Sequence, residues 1–109
     1  MARGGFGGGM GDLVRQAQKM QQRLAEVQQD LKDRIVEGTA GGNMVRVLVN
    51  GQQDIVAVKI DPTVVDPKDV AMLEDLILAA ARQGLKKARD LANEEMGKVT
   101  GGIPVPGMF

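Results

Sequence analysis

The sequence predicts an α+β fold in which a small antiparallel three-stranded sheet is flanked by two long helices, in the order α-β-β-β-α. Three observations predict it. Apolar residues recur at helical spacing up to Leu31, β-branched residues dominate the next stretch, and a second helical pattern follows Pro67. A chain of 109 residues has the length of one domain and is small enough to gain stability from oligomerisation.

The first helix is predicted from a seam of apolar residues spaced alternately four and three apart: Leu13, Ala17, Met20, Leu24, Val27 and Leu31. Asp12 suits an N-cap and Gly38 ends the run, which gives a helix of about 25 residues and roughly 37 Å. Residues 1–11 are more than half glycine and are predicted to form a flexible N-terminal arm before the domain.

Three strands follow. A short strand is predicted over 35–40, turning back through Gly41-Gly42, and the run "NMVRVLVNGQQDIVAVKID" predicts a hairpin at Asn50-Gly51. The strands carry apolar residues on both faces, so the sheet needs two covers. A helical layer can supply the first cover, and a partner subunit is expected to supply the second.

The second helix is predicted from Pro67 to about Gly97, roughly 46 Å, with Asp66 as its N-cap. The aspartates of "DPTVVDPKD" favour capping over metal binding. If the helices pack antiparallel directly beyond the sheet, Lys19 lies opposite Gly84, at a small-residue seam that allows close approach. The single domain is expected to cover residues 12–98, and 99–109 to form a Gly/Pro-rich C-terminal tail.

The composition excludes much chemistry. Cys, His, Ser, Trp and Tyr are absent, so thiolate, imidazole and common triad sites cannot be built. We therefore expect no enzyme, no cofactor, no metal and no small-molecule substrate. Long apolar runs and a signal-peptide core are also absent, which predicts a cytoplasmic protein without a membrane partner.

The charges suggest a binding surface although the 14 basic and 14 acidic residues balance. The stretch "AARQGLKKARD" holds four cations, and a basic stripe at i, i+4 and i+8 lies on the first helix. The predicted packing places both sets in one band suited to phosphates. The seven residues are Arg15, Lys19, Arg23, Arg82, Lys86, Lys87 and Arg89. The alternative is a solvated surface partly paired with nearby acids.

The chain resembles the YbaB/EbfC family of bacterial nucleoid-associated proteins. The resemblance is carried, in family order, by "GGMGDLVRQAQKMQQRLAEVQQDL", "VRVLVNGQQDIVAVKIDP", "LEDLILAA" with "LKKA", and "MGKVTGGIPVPGMF". The cations of the first helix match the family's polar, often basic face, and Lys86 and Lys87 match the basic pair in "LKKA".

This resemblance implies an α-β-β-β-α protomer, a homodimer with tweezer-like projecting helices, and DNA binding in the nucleoid. The sequence therefore predicts a dimeric protein that binds double-stranded DNA with weak sequence preference and contributes to chromosome organisation and gene regulation. The alternative from another class is a protein-interaction adaptor or a prefoldin-like holdase, for which the paired helices and seven methionines leave room.

Overall fold

The computed structural model describes residues 2–101, with side-chain environments for residues 10–101. The predicted element order is confirmed: helix α1, strands β1, β2 and β3, a short 3-10 turn, and helix α2. Their bounds are Ala2–Asp33, Ile35–Ala40, Val45–Asn50, Ile55–Ile60, Pro62–Val64 and Val70–Thr100. The sheet is antiparallel with the strand order β1-β2-β3.

Helix α1 is longer at its start and ends sooner than predicted. It extends back to Ala2, so Asp12 lies inside the helix instead of capping it, and it ends at Asp33 instead of near Gly38. Extending an existing helix adds one hydrogen bond for each residue ordered, and this gain can offset the helix penalty of glycine. The flexibility predicted for residues 1–11 stays a prediction.

The core lies between α2 and one face of the sheet. Val45, Val47 and Val49 of β2 are fully buried, and they pack with Ala80 and Ala88 of α2. Helix α2 crosses β1 and β2 and makes few contacts with β3. The central strand is therefore buried while every β3 residue except Ala57 is exposed.

The β2–β3 hairpin is confirmed, but its turn differs from the two-residue turn that Asn-Gly favours. Four residues, 51–54, link the strands, and the left-handed residue is Gln53 with φ of 66°. The buried Asn50 side chain organises this loop, because its Oδ1 accepts from the amides of Gln52 at 2.9 Å and Asp54 at 3.0 Å. Gly51 is needed for space, since a Cβ there would lie 2.7 Å from the Leu31 carbonyl oxygen.

Helix α2 starts and ends three residues later than predicted. Asp69, not Asp66, is the N-cap, and its carboxylate accepts from the Met72 amide at 3.1 Å. Asp66 instead accepts from the Lys68 amide at 2.9 Å, because Pro67 and Lys68 form a turn before the helix. At the far end, Gly101 adopts a left-handed conformation with φ of 65°, so the helix passes through Gly97 and ends after Thr100, inside the predicted tail.

The prediction that Gly84 packs against α1 was wrong. A Cβ on Gly84 would lie 2.8 Å from Cγ2 of Val49 and 3.3 Å from the Gly38 amide nitrogen. The glycine therefore allows close packing of α2 on the sheet and not on α1. Helix α2 covers the sheet over its first five turns, because its residues up to Ala88 supply the apolar contacts. Only its last turns reach α1.

The helices therefore meet at a different level from the one predicted. Arg34, directly after α1, pairs with Glu95 at 3.6 Å, and nearer the tip Lys19 and Met20 share a groove with Val99. Lys19 thus lies beside Val99 and not Gly84, a shift of 15 residues or roughly 22 Å along α2. Helix α1 continues beyond the end of α2 as a projecting arm, and the molecule is 82 Å long.

Candidate nucleic-acid interface

Three cations lie on α1 from the level of Val99 toward the projecting tip, and we call them the arm stripe: Arg15, Lys19 and Arg23. The i, i+4, i+8 spacing places them on one side of the helix. Between Leu13 and Ala25 they are the only charged residues. The arm therefore carries a local positive charge although the whole chain is neutral.

Two members of the arm stripe are available to an external anion. Arg15 pairs with Asp12 at 3.3 Å, but both side chains are more than 70% exposed, so the pair is weak and easily exchanged. Lys19 and Arg23 have no carboxylate within 4.0 Å in the described part of the chain. Both line the groove that Val99 forms with α1, and both residues are exposed to solvent.

A second cationic surface lies on α2, and we call it the outer α2 face: Arg82, Lys86 and Arg89. All three are exposed, and the buried Gly84 and Ala88 lie on the opposite side of the helix. Lys86 pairs with Asp90 at 3.0 Å, with both side chains at least 60% exposed. Arg82 and Arg89 have no ion pair among the described residues. This face therefore also presents cations to solvent.

Lys87 has a different environment from its neighbour Lys86. Its Nζ donates to the Glu37 carbonyl oxygen of β1 at 3.0 Å. Gln83, one turn earlier, accepts from the Thr39 amide at 2.7 Å. The spacing "QGLKK" places Gln83 and Lys87 on one side of a helix, but the sequence alone did not tell us that the edge of β1 runs beneath them.

The seven predicted cations do not form one band within a protomer. The arm stripe lies level with Val99 and beyond it, while the outer α2 face lies above the sheet. Along α2 the nearest members, Arg89 and the position beside Val99, are about 15 Å apart at 1.5 Å per residue. The prediction placed them together because it did not allow for the length of α2 that the sheet occupies.

The aspartates after β3 accept local backbone hydrogen bonds, and two of them, Asp61 and Asp69, are N-caps, whereas the predicted N-cap Asp66 is not. Asp61 accepts from the amide of Thr63 at 2.9 Å and from its hydroxyl at 2.8 Å, and these bonds lower the pKa of the Asp61 carboxyl. Asp66 and Asp69 are used in the same way at the start of α2. Residues 2–101 contain no group of three or more acidic side chains arranged to hold a metal ion. None of their helices is long and apolar enough to cross a membrane.

Comparisons with known proteins agree with this architecture. A nucleoid-associated protein of Clostridium kluyveri is 51% identical, with all of both chains covered. A second, from Pelotomaculum thermopropionicum, is 48% identical over 95% of this chain and 99% of its own. The crystal structure of the uncharacterized protein HP0035 from Helicobacter pylori has the same fold, with a TM-score of 0.71 at 23% identity. The match covers 84% of this chain and 94% of HP0035.

The relatives that match this chain over nearly its full length are thus nucleoid-associated proteins. Residues 6–103 match the YbaB/EbfC DNA-binding family, and the chain belongs to that family. The resemblance seen in the sequence is therefore confirmed. This is a DNA-binding family and not an enzyme family.

Proposed function

We propose that the protein is a homodimer that binds double-stranded DNA through phosphates with low sequence specificity. The observation that carries the proposal is the arm stripe on a helix that projects beyond the packed domain. A projecting helix can approach a duplex without a clash from the sheet, and its cations then replace counterions on the phosphates. We propose that the protein acts in the cytoplasm at the nucleoid. There it contributes to chromosome organisation and gene regulation.

The residue types of the arm support phosphate binding over base reading. Between Met10 and Gly101 the chain contains no aromatic residue that could stack on a base. Arginine and lysine on an exposed helix serve the sequence-independent part of DNA affinity. The exposed glutamines of this part of α1 can add hydrogen bonds to phosphate oxygens: Gln16, Gln18, Gln21 and Gln22. Low specificity follows from contacts of this kind.

The outer α2 face supplies the second set of proposed contacts. Arg82, Lys86 and Arg89 lie above the sheet, so they would meet a different part of the duplex from the arm stripe. Lys87 stays a predicted contact, and two of its three N–H donors remain after its bond to Glu37.

Exposed apolar side chains on β3 and α2 support the dimer. We call them the β3 patch: Val56, Val58 and Ile60 of β3 with Leu78 of α2, which are 37–51% exposed. Gln83 and Lys87 reach the β1 edge from one side of α2, so the opposite side, with Leu78, lies toward β3. Exposed large apolar side chains that are grouped in this way are typical of an interaction site. We assign it to a second copy of the chain.

The test is fluorescence anisotropy of a labelled duplex titrated with protein over a range of salt. Lys19→Gln/Arg23→Gln removes two cations from the arm stripe. The slope of log K against log salt should become shallower by about 0.9 for each phosphate that a subunit no longer neutralises. The matched control is Lys32→Gln/Lys68→Gln, which makes the same change in charge away from both cationic surfaces.

The two variants separate local binding from net charge. We expect the control to keep the wild-type slope. If the two double variants lose affinity equally, only net charge acts, and the arm stripe has no role as a site. If neither loses affinity, DNA does not bind at the arm.

One observation favours the alternative adaptor or holdase function. Met10, Leu13 and Val14 on the arm are 52–63% exposed, and apolar residues on a projecting helix can bind a protein. A pulldown with and without nuclease separates the two functions. Partners that stay bound after nuclease treatment, and that added duplex does not displace, would favour the adaptor.

A further inference from the structure

The two edges of the sheet differ in the hydrogen bonds that their backbone groups make with side chains. Strands β1 and β3 each pair with β2 on one side only, so the backbone groups on their other sides lack strand partners. Free strand edges are sites where a strand of another chain can add. A protein that assembles in a defined way must therefore close the edge it does not use.

Two side chains of α2 bind the free edge of β1. The Thr39 amide donates to Oε1 of Gln83 at 2.7 Å, and the Glu37 carbonyl oxygen accepts from Nζ of Lys87 at 3.0 Å. One of these backbone groups is a donor and the other an acceptor, and each meets the complementary side chain. We call this pair of hydrogen bonds the edge clamp.

The edge of β3 has no comparable cover. No side chain in the described part of the chain hydrogen-bonds to the backbone of residues 55–60. The apolar side chains of the β3 patch are exposed there as well. One edge is thus polar and covered, while the other is apolar and open.

We propose that Gln83 and Lys87 close the β1 edge against the addition of a strand from a second copy of this chain. An incoming β1 strand would need the Thr39 amide and the Glu37 carbonyl that the edge clamp occupies. The clamp therefore restricts self-association to other surfaces and keeps the assembly from growing through both edges. This inference concerns assembly alone and does not depend on DNA binding.

The test removes the polar groups and keeps the length of the side chains. In Gln83→Met/Lys87→Met, both methionines retain helix propensity and apolar stems but can no longer hold the two backbone groups. We expect the Thr39 amide to exchange with solvent about tenfold faster in NMR hydrogen exchange. Light scattering after gel filtration should show a mass that exceeds the wild-type mass and rises with protein concentration.

The matched control is Gln22→Met/Lys68→Met, which makes the same two replacements at exposed side chains that form no hydrogen bond in the described part of the chain. It should keep the wild-type mass and Thr39 exchange rate. Lys87→Arg, made in a chain that keeps Gln83, still offers a donor to the Glu37 carbonyl oxygen. This variant should have the wild-type mass. If the double methionine variant is folded by circular dichroism and keeps the wild-type mass at every concentration, the proposal is overturned.

A variant that does not fold is replaced by the single changes. Gln83→Met alone opens the Thr39 amide, and Lys87→Met alone opens the Glu37 carbonyl. An increase in mass from either supports closure of the β1 edge. No increase from either overturns it.

Discussion

The backbones of Gly38 in β1 and Gly84 in α2 lie against each other. A Cβ atom on Gly38 would be 2.8 Å from the Cα of Gly84 and would overlap the Ala80 carbonyl oxygen. Since backbone meets backbone, no side-chain movement could make room for it. This contact allows α2 to approach the sheet more closely than any side chain at residue 38 would permit.

Gly38→Ala should destabilise the fold by about 3 kcal/mol, because the added methyl group forces the helix away from the strand. Urea unfolding followed by circular dichroism measures the effect. Gly97→Ala is the control, since nothing lies within 4 Å of a Cβ at that helical position. It should stabilise the protein by up to about 1 kcal/mol. Equal effects at the two sites would refute the packing role of Gly38.

Asn50→Ala should cost about 1–3 kcal/mol, because the amides of Gln52 and Asp54 lose their shared acceptor in a partly buried loop. Gln52→Ala, which removes one exposed bond to the Gln28 carbonyl oxygen, should cost less than about 1 kcal/mol. Thermal unfolding of the two variants checks the difference. A smaller loss for Asn50→Ala than for Gln52→Ala would show that the side chain does not organise the hairpin.

Leu78→Asp should convert the proposed dimer into a monomer of 11.6 kDa, because it places a charge in the β3 patch. Ala79→Asp introduces the same charge about 100° around the helix, away from β3, and should leave the mass unchanged. Light scattering after gel filtration distinguishes these results. A dimer that survives Leu78→Asp would place the subunit interface on another surface.

The arm stripe and the outer α2 face should contribute independently to DNA binding, because they are separated along α2 and do not touch each other. The losses of binding free energy from Lys19→Gln/Arg23→Gln and from Arg82→Gln/Arg89→Gln should add within about 0.5 kcal/mol when combined. Anisotropy at one fixed salt concentration measures the cycle. Strong non-additivity would mean that both sets bind the same phosphates.

DNA affinity should be nearly constant between pH 6 and pH 8.5, because the chain has no histidine or cysteine side chain to change charge there. Hydrogen bonds from Thr63 lower the pKa of the Asp61 carboxyl in the folded protein. The stability that this carboxylate contributes is fully present above its unfolded pKa and is lost only as the pH falls through the lower folded pKa. Anisotropy at constant ionic strength checks the plateau. A steep change near pH 7 would contradict this prediction and would require another titrating group at the DNA interface.

The sequence predicted the elements well because each has a strong local signal. The strand Ile35–Ala40 and the β2–β3 hairpin follow from β-branched runs between turn residues, and both are confirmed. Helix ends were less predictable. Asp66 and Asp69 are both good caps, and only the Pro67 turn selects the second, so α2 begins three residues later than the first cap suggested.

The relation between the helices could not be read from the sequence. Gly84 has the signature of close packing, but that signature does not say whether a strand or a helix comes near. The strand proves to be the neighbour, so α2 travels along the sheet before it meets α1. The prediction that the two helices pack against each other directly beyond the sheet placed their cations in one band. The cations are separated because α2 first runs along the sheet. The role of Lys87 was hidden likewise, since no local pattern reveals a backbone carbonyl 50 residues away.

The projecting part of α1 separates the reach of the molecule from its stability. Val27 and Leu24 are only half-buried and Leu13 is exposed, so packing fades toward the tip of the arm, while the core depends on residues far from it. Turns of helix can therefore be added to or removed from the tip at little cost to the folded domain. A family built in this way can alter the span between the proposed DNA-binding groups by changes in helix length alone, with the sheet left as it is.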